Sequence, residues 1–99
     1  MKSFNERCYA LLRKVPKGKV TTYKNIARAL NYKAYRAVGN AMNKNPHAPR
    51  VPCHRVVKSD GTLGGFSSGS AKKIKLLKKE GIEVRDKRIV NFEKVLHKF

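Results

Sequence analysis

The sequence predicts a mainly α-helical domain with a small β-hairpin, arranged as a winged helix-turn-helix. Three observations lead there. Short amphipathic helical segments come first, two of them joined by a tight turn. A β-branched run, a Ser-Asp-Gly turn and a further helical segment follow. The third observation is charge: 24 Lys and Arg against 6 Asp and Glu give +18 over 99 residues. A basic helix-turn-helix of this kind commonly binds duplex DNA.

Each element has a local cause. Ser3-Phe4-Asn5-Glu6 has the form of a capping box opening a first helix. Phe4, Cys8, Leu11, Leu12 and Val15 recur at helical spacing as its apolar stripe, which gives Cys8 a packing role. Pro16-Lys17-Gly18-Lys19 turns the chain. Thr21-Thr22 offers an N-cap for a second helix from Tyr23 to about Leu30, with Ile26, Ala27 and Leu30 inward. After the turn at Asn31-Tyr32-Lys33, a third helix runs from about Ala34 to Lys44 on Val38, Ala41 and Met42. Lys24, Arg28, Lys33, Arg36 and Lys44 face outward. Gly39 costs that helix about 1 kcal/mol relative to Ala. Close approach of another backbone, from a neighbouring helix or a nucleic-acid strand, is a reason to keep it.

Asn45-Pro46 ends the third helix, and the proline-rich stretch to Pro52 reads as a stiff loop. Cys53 to Lys58 reads as a short strand, Ser59-Asp60-Gly61 as a hairpin turn and Thr62-Leu63 as the start of a return strand. The loop Gly64 to Gly69 lacks the spacing of a nucleotide phosphate cradle. Ser70 caps a fourth helix from Ala71 to Glu80, with Ile74 and Leu77 inward and Gly81 as its stop. Phe92, Val95, Leu96 and Phe99 keep a helical spacing for a last short helix. No repeat or internal boundary divides residues 1–99, which read as one domain.

Charge narrows the partner. From Arg7 to Ser59 there is no acidic residue, against 13 Lys and Arg. A field of one sign opposes folding unless a polyanion offsets it, and nucleic acid is the obvious one. There is no apolar run of membrane-spanning length and no signal-peptide pattern, so the chain is expected in the cytoplasm, or the nucleus of a eukaryote, away from membranes. Cys8 and Cys53 lack metal-site spacing with His47, His54 and His97, so neither metal nor cofactor is expected.

Val51-Pro52-Cys53-His54-Arg55-Val56 sets the most nucleophilic side chain beside a base and a cation. A thiol titrates near pH 8.5, and a base or positive charge raises its thiolate fraction. Strand neighbours point to opposite faces, so His54 needs a bend or an intervening water to serve Cys53. A base also wants an acceptor on its other ring nitrogen, and Glu80 is the best placed of the few acids. From this adjacency alone, a buried, inert cysteine beside an exposed histidine is the commoner arrangement. Arg55 has three candidate roles: aiding the thiolate, meeting DNA, or bracing the strand.

Pro52-Cys53-His54-Arg55-Val56 matches the P-C-H-R-V signature of the O6-alkylguanine-DNA alkyltransferases, the methylated-DNA–protein-cysteine methyltransferases. The likeness extends through Phe4-x-x-x-Cys8-Tyr9, Val15-Pro16-x-Gly18, Thr22-Tyr23, Arg36-Ala37-Val38-Gly39-x-Ala41-Met42 and Asn45-Pro46. Gly61-x-Leu63-x-Gly65-Phe66-x-x-Gly69 and Lys73-x-x-Leu76-Leu77-x-x-Glu80-Gly81 continue it, so the chain resembles that family's C-terminal active-site domain over about residues 4 to 84.

The resemblance implies roles. Cys53 would take the alkyl group from guanine O6 irreversibly, once per molecule. A water would link it to His54, which Glu80 orients, and Asn45 would brace the turn beside the site. Tyr23 would help rotate the nucleotide out and bond the base, and Arg36 would fill the vacated stack. Val56, through its carbonyl, and Ser67 would contact the flipped base, with Phe66 in the pocket where a tyrosine is usual. Lys24, Lys33, Gly39 and Ser59 complete the expected DNA contacts. The third helix would enter the minor groove of double-stranded DNA containing O6-alkylguanine, and the protein would act as a monomer. The family also includes alkyltransferase-like proteins that hold the lesion without transferring it and usually carry tryptophan in place of the cysteine. A general architectural or RNA-binding protein is the more distant alternative.

Overall fold

The computed structural model describes residues 3–33, 35–44, 51–63 and 70–99. Ser3 caps the first helix, α1 (Phe4–Leu12), its hydroxyl accepting from the Glu6 amide at 3.2 Å. The helix ends at Leu12 rather than running on to Val15. Two short turns follow, Lys14 amide to Leu11 carbonyl and Val15 amide to Leu12 carbonyl, and they still bury Val15. Strand β1 (Thr21–Thr22) leads into α2 (Tyr23–Ala29), whose N-cap is Thr22 accepting from the Asn25 amide at 2.9 Å.

The turn after α2 has an identifiable geometry. Asn31 takes the left-handed conformation (φ 58), its amide donates to the Arg28 carbonyl, and the Tyr32 amide donates to the Ala27 carbonyl. That is a Schellman ending with asparagine in the glycine position. It releases the chain into α3 (Tyr35–Asn43), which buries Val38, Ala41 and Met42 as the spacing predicts.

The β structure departs from the expected hairpin. Cys53–Arg55 is one turn of 3-10 helix, and only Val56–Val57 form strand β2. β2 pairs in parallel with β1, Thr21 against Val56 and Thr22 against Val57. The Ser59-Asp60-Gly61 turn does form, with the Gly61 amide on the Lys58 carbonyl and the Lys58 amide on the Thr62 carbonyl. Beyond that bond, Thr62 and Leu63 pair with residues 87 and 88 rather than back along β2. Thr62 instead bridges Arg88 in a second sheet made of β3 (Val84–Arg85) and β4 (Arg88–Ile89). The expected glycine-rich loop, residues 64–69 with Phe66 and Ser67, and residues 45–50 of the proline-rich stretch with Asn45 lie outside the described residues.

Helix α4 (Ser70–Lys79) begins at Ser70 itself, one residue before the expected start. It ends in a second Schellman motif: Gly81 at φ 84 donates to the Lys78 carbonyl, and the Ile82 amide donates to the Leu77 carbonyl. Ile82 and Leu77 are both fully buried, the apolar contact that accompanies this ending. Helix α5 (Phe92–Val95) is shorter than its apolar spacing implies. After it, Val20 donates to the Val95 carbonyl and accepts from the His97 amide.

The β1–β2 pair separates two cores. Val56 belongs to the α1–α3 core with Cys8, Leu12, Ile26, Val38 and Cys53, whereas Val57 belongs to a second core with Val20, Leu77, Ile82 and Ile89. Alternate strand residues face opposite sides, so two valines suffice to tie both cores together, each burial contributing about 2 kcal/mol. The 3-10 turn carrying Cys53 and His54 lies at this junction.

Candidate active site and adjoining groove

The 3-10 turn changes the geometry from that of a strand. Pro52 precedes it, and the Arg55 amide closes it onto the Pro52 carbonyl. Cys53 and His54 are both buried within it, at 3% and 2% exposure. His54 therefore turns inward rather than standing exposed. Its Nε2 lies 3.0 Å from Glu80 Oε2. Glu80 is the cap residue of α4, fixed by the Schellman ending beyond it.

The carboxylate is held by more than the histidine. Arg55 Nε donates to Glu80 Oε1 at 2.9 Å, and Nη2 donates to Oε2 at 2.6 Å. A third donor, Nη1, reaches the Val15 carbonyl at 2.9 Å. Of the roles left open for Arg55, the structure assigns bracing: one guanidinium joins the turn after α1, the 3-10 turn and the end of α4. Burial alone would raise the Glu80 carboxyl, but the hydrogen bonds and charges of Arg55 and His54 prevail and hold it below its ordinary value. It is thus an acceptor at neutral pH, and Nε2 carries the hydrogen it receives.

That fixes the other ring nitrogen. Burial lowers the His54 pKa, outweighing Glu80, with Arg55 and Lys73 adding to the fall. The neutral imidazole then presents Nδ1 as an acceptor. Nδ1 is buried with no hydrogen-bond partner among the described residues. A buried acceptor without a partner is costly and invites a functional explanation.

Two other groups, one buried and one half-buried, lie within electrostatic reach of Cys53. Lys73 is fully buried, and its Nζ donates to the Val56 carbonyl at 2.7 Å and the Leu63 carbonyl at 2.6 Å. Burial brings its pKa down to about 8, against the opposing field of Cys53. The Val56 carbonyl expected to meet a base thus already receives one donor. Tyr23 is half-buried, its phenol pKa raised by burial and next by Cys53. Cys8, by contrast, packs in the α1–α3 core with its thiol pushed up to about 11 by burial. It is an inert thiol, as its place in the stripe predicts.

Tyr23 also lines an open groove of about 590 Å³ with Lys24, Tyr35, Arg36, Gly39, Asn43, Lys58, Ser59 and Asp60. Helices α2 and α3 form one side and the Lys58–Asp60 turn the other. Of the expected DNA contacts, Tyr23, Lys24, Arg36, Gly39 and Ser59 come together here; Lys33 is exposed but does not line it. Among the described residues, a Cβ on Gly39 would meet nothing within 4 Å, and no neighbouring helix occupies that space.

Sequence reasoning missed Tyr9, Lys73 and the groove residues Tyr35, Asn43, Lys58 and Asp60. Tyr9 donates its hydroxyl to the Ala41 carbonyl at 2.7 Å, pinning α1 to α3. Lys73 had a signal: it stands four residues before buried Leu77, on the inward stripe of α4, where a lysine is out of place. Among the described residues no group of His, Cys, Asp and Glu gathers as a metal site, and no helix is long and apolar enough to cross a membrane.

Comparison with known proteins bears on this geometry. Residues 3–82 match the family described as 6-O-methylguanine DNA methyltransferase, DNA binding domain. The methylated-DNA–protein-cysteine methyltransferase of Metallosphaera sedula is 52% identical over 79 residues, which are 80% of this chain and 49% of that protein. The crystal structure of O6-methylguanine-DNA methyltransferase from Pyrococcus kodakaraensis superposes with a TM-score of 0.75 at 46% identity, over 83% of this chain and 48% of that one. Schizosaccharomyces pombe Atl1, solved with damaged DNA containing O6-carboxymethylguanine, superposes over 100% of both chains with a TM-score of 0.88 at 30% identity. The chain spans about half or less of the length of the curated relatives it matches. With four-fifths of its residues under one family's pattern, and Cys53, His54 and Glu80 brought to the junction of its two cores, the chain belongs to the 6-O-methylguanine DNA methyltransferase family.

Proposed function

We propose that this protein repairs duplex DNA by taking the alkyl group of O6-alkylguanine onto Cys53, once per molecule. The observation that carries the reading is the His54–Glu80 pair, which leaves a buried Nδ1, without a partner among the described residues, on the residue next to a buried cysteine. In the reaction, the Cys53 thiol gives its proton to Nδ1, directly or through one water. The sulfur attacks the alkyl carbon, the S–C bond forms, and the C–O6 bond breaks with its electron pair going to the guanine. A proton donor must then neutralise the guanine, since a developing anion in a dry site is stabilised only by a placed donor. Tyr23, whose phenol keeps its proton, is suited to that task.

The groove accounts for access. O6 is stacked inside the duplex, so the nucleotide must rotate out. In this reading α3 enters the minor groove, Gly39 lets the backbone approach, and Arg36 fills the stack. The minor groove carries little base code, which suits repair in any sequence. Lys24 and Lys58 meet phosphates, and one chain serves one lesion.

The test is transfer of a labelled methyl group from duplex O6-methylguanine to the protein. Wild type is expected to take up the label and Cys53→Ser to bind the duplex without label. Tight binding by wild type without transfer would overturn the repair reading and place the protein with the family's lesion-binding, non-transferring members.

A further inference from the structure

Residues beyond the matched family domain are built onto the groove. β3 and β4 form a hairpin turned by Asp86 and Lys87, both at positive φ (51 and 61). Two residues with φ above zero make the primed turn that suits the twist of a hairpin. The hairpin is bonded to the Lys58–Asp60 side of the groove. Thr62 bridges Arg88, the Leu63 amide donates to the Lys87 carbonyl at 3.1 Å, and the Ile89 amide donates to the Gly61 carbonyl at 2.9 Å.

The charges on this hairpin oppose one another. The register sets Arg85 directly across from Arg88, both exposed, with Lys87 at the tip. Like charges directly opposite on paired strands destabilise them. Glu83 approaches Arg85 at 3.2 Å, but both side chains are well exposed, and such a pair offsets little. Arg88 also lies near enough to Asp60, on the groove wall, for its charge to act there. The Asp60 carboxyl there is held low first by the Thr62 hydroxyl and amide, with the field of Arg88 adding to them.

We propose that the hairpin is a second phosphate-binding surface, in which Arg88 and Lys87 continue the groove and hold the backbone of the same duplex flanking the lesion. This rests on the reading that the groove holds duplex DNA. A polyanion resolves the like-charge pair, and the bonds to Gly61, Thr62 and Leu63 fix the cations relative to the groove wall.

The experiment is duplex binding over a series of salt concentrations, with wild type, Arg88→Gln/Lys87→Asn, Arg88→Lys, and Lys24→Gln/Arg36→Gln. Asparagine tolerates the left-handed conformation, so the turn is kept. The hairpin double variant is expected to bind about tenfold more weakly near physiological salt, with a log–log salt slope shallower by about 1 to 2. Without DNA it should melt no lower than wild type, because a like-charge pair is gone. Arg88→Lys should stay within about twofold of wild type. Affinity and slope unchanged in the hairpin variant, while the Lys24/Arg36 variant weakens, would overturn the hairpin surface alone. A loss in Arg88→Lys as large as in the double variant would also overturn it, since the effect would then be one of shape. No salt-dependent binding by wild type would overturn the groove reading and the hairpin with it.

Discussion

His54 carries the clearest pH dependence. Its folded pKa lies below the ordinary 6.5 because burial disfavours the imidazolium. As pH falls below 6.5, the unfolded chain takes up the proton first, so the fold loses stability through that window and down to the lower folded value. Glu80, also held below its ordinary value, adds a loss as pH falls through its own folded value. Alkyl transfer by the neutral base is therefore expected to stay level down to pH 6.5 and to decline only in more acid solution. A single-turnover rate profile checks this, and a decline beginning well above pH 6.5 would contradict it. Part of this residue-scale picture was legible beforehand: Cys53, His54 and Glu80 could be named, and the His54–Glu80 contact anticipated. Arg55 was named with bracing as one of three open roles, and Lys73 was given none, because their partners are backbone carbonyls and a carboxylate 10 to 40 residues away. Such pairings leave no periodic trace.

Among the elements, α3 makes a choice between stability and function at Gly39. Its backbone is helical, and a Cβ there would meet no atom of the described residues within 4 Å. Gly39→Ala is accordingly expected to stabilise the fold by about 1 kcal/mol. The same methyl group enters the groove surface, so duplex affinity should fall while the melting temperature rises. Calorimetry beside a binding titration separates the two; a gain in both would show that nothing approaches Gly39. The caps at Ser3 and Thr22 and the stop at Gly81 were readable because each is a local pattern. The β1–β2 pairing was not, since two-residue strands distant in sequence carry no alternation to read. The β3–β4 hairpin escaped because its turn uses Asp86-Lys87 where glycine or asparagine is the usual signal.

Over the whole molecule, the two cores share one strand pair, and the chemistry sits where they meet. Arg55 and Glu80 hold that junction by joining the turn after α1, the 3-10 turn and α4, while the groove beside it is walled by both halves. A net charge of +18 disfavours this compact state in isolation and favours it on a polyanion. The mainly helical architecture with its helix-turn-helix followed from element order, but the wing expected over Cys53–Leu63 did not, since the hairpin that forms is β3–β4. The second core did not, because it depends on how residues 83–99 fold back over Val20 and Gly61. The most direct test of the account is intact-mass measurement of the protein after incubation with excess duplex containing O6-methylguanine. The expected result is a gain of one methylene group per chain, reaching a plateau there and mapping to Cys53. An unchanged mass with duplex bound, or a group found on Cys8 instead, would contradict it.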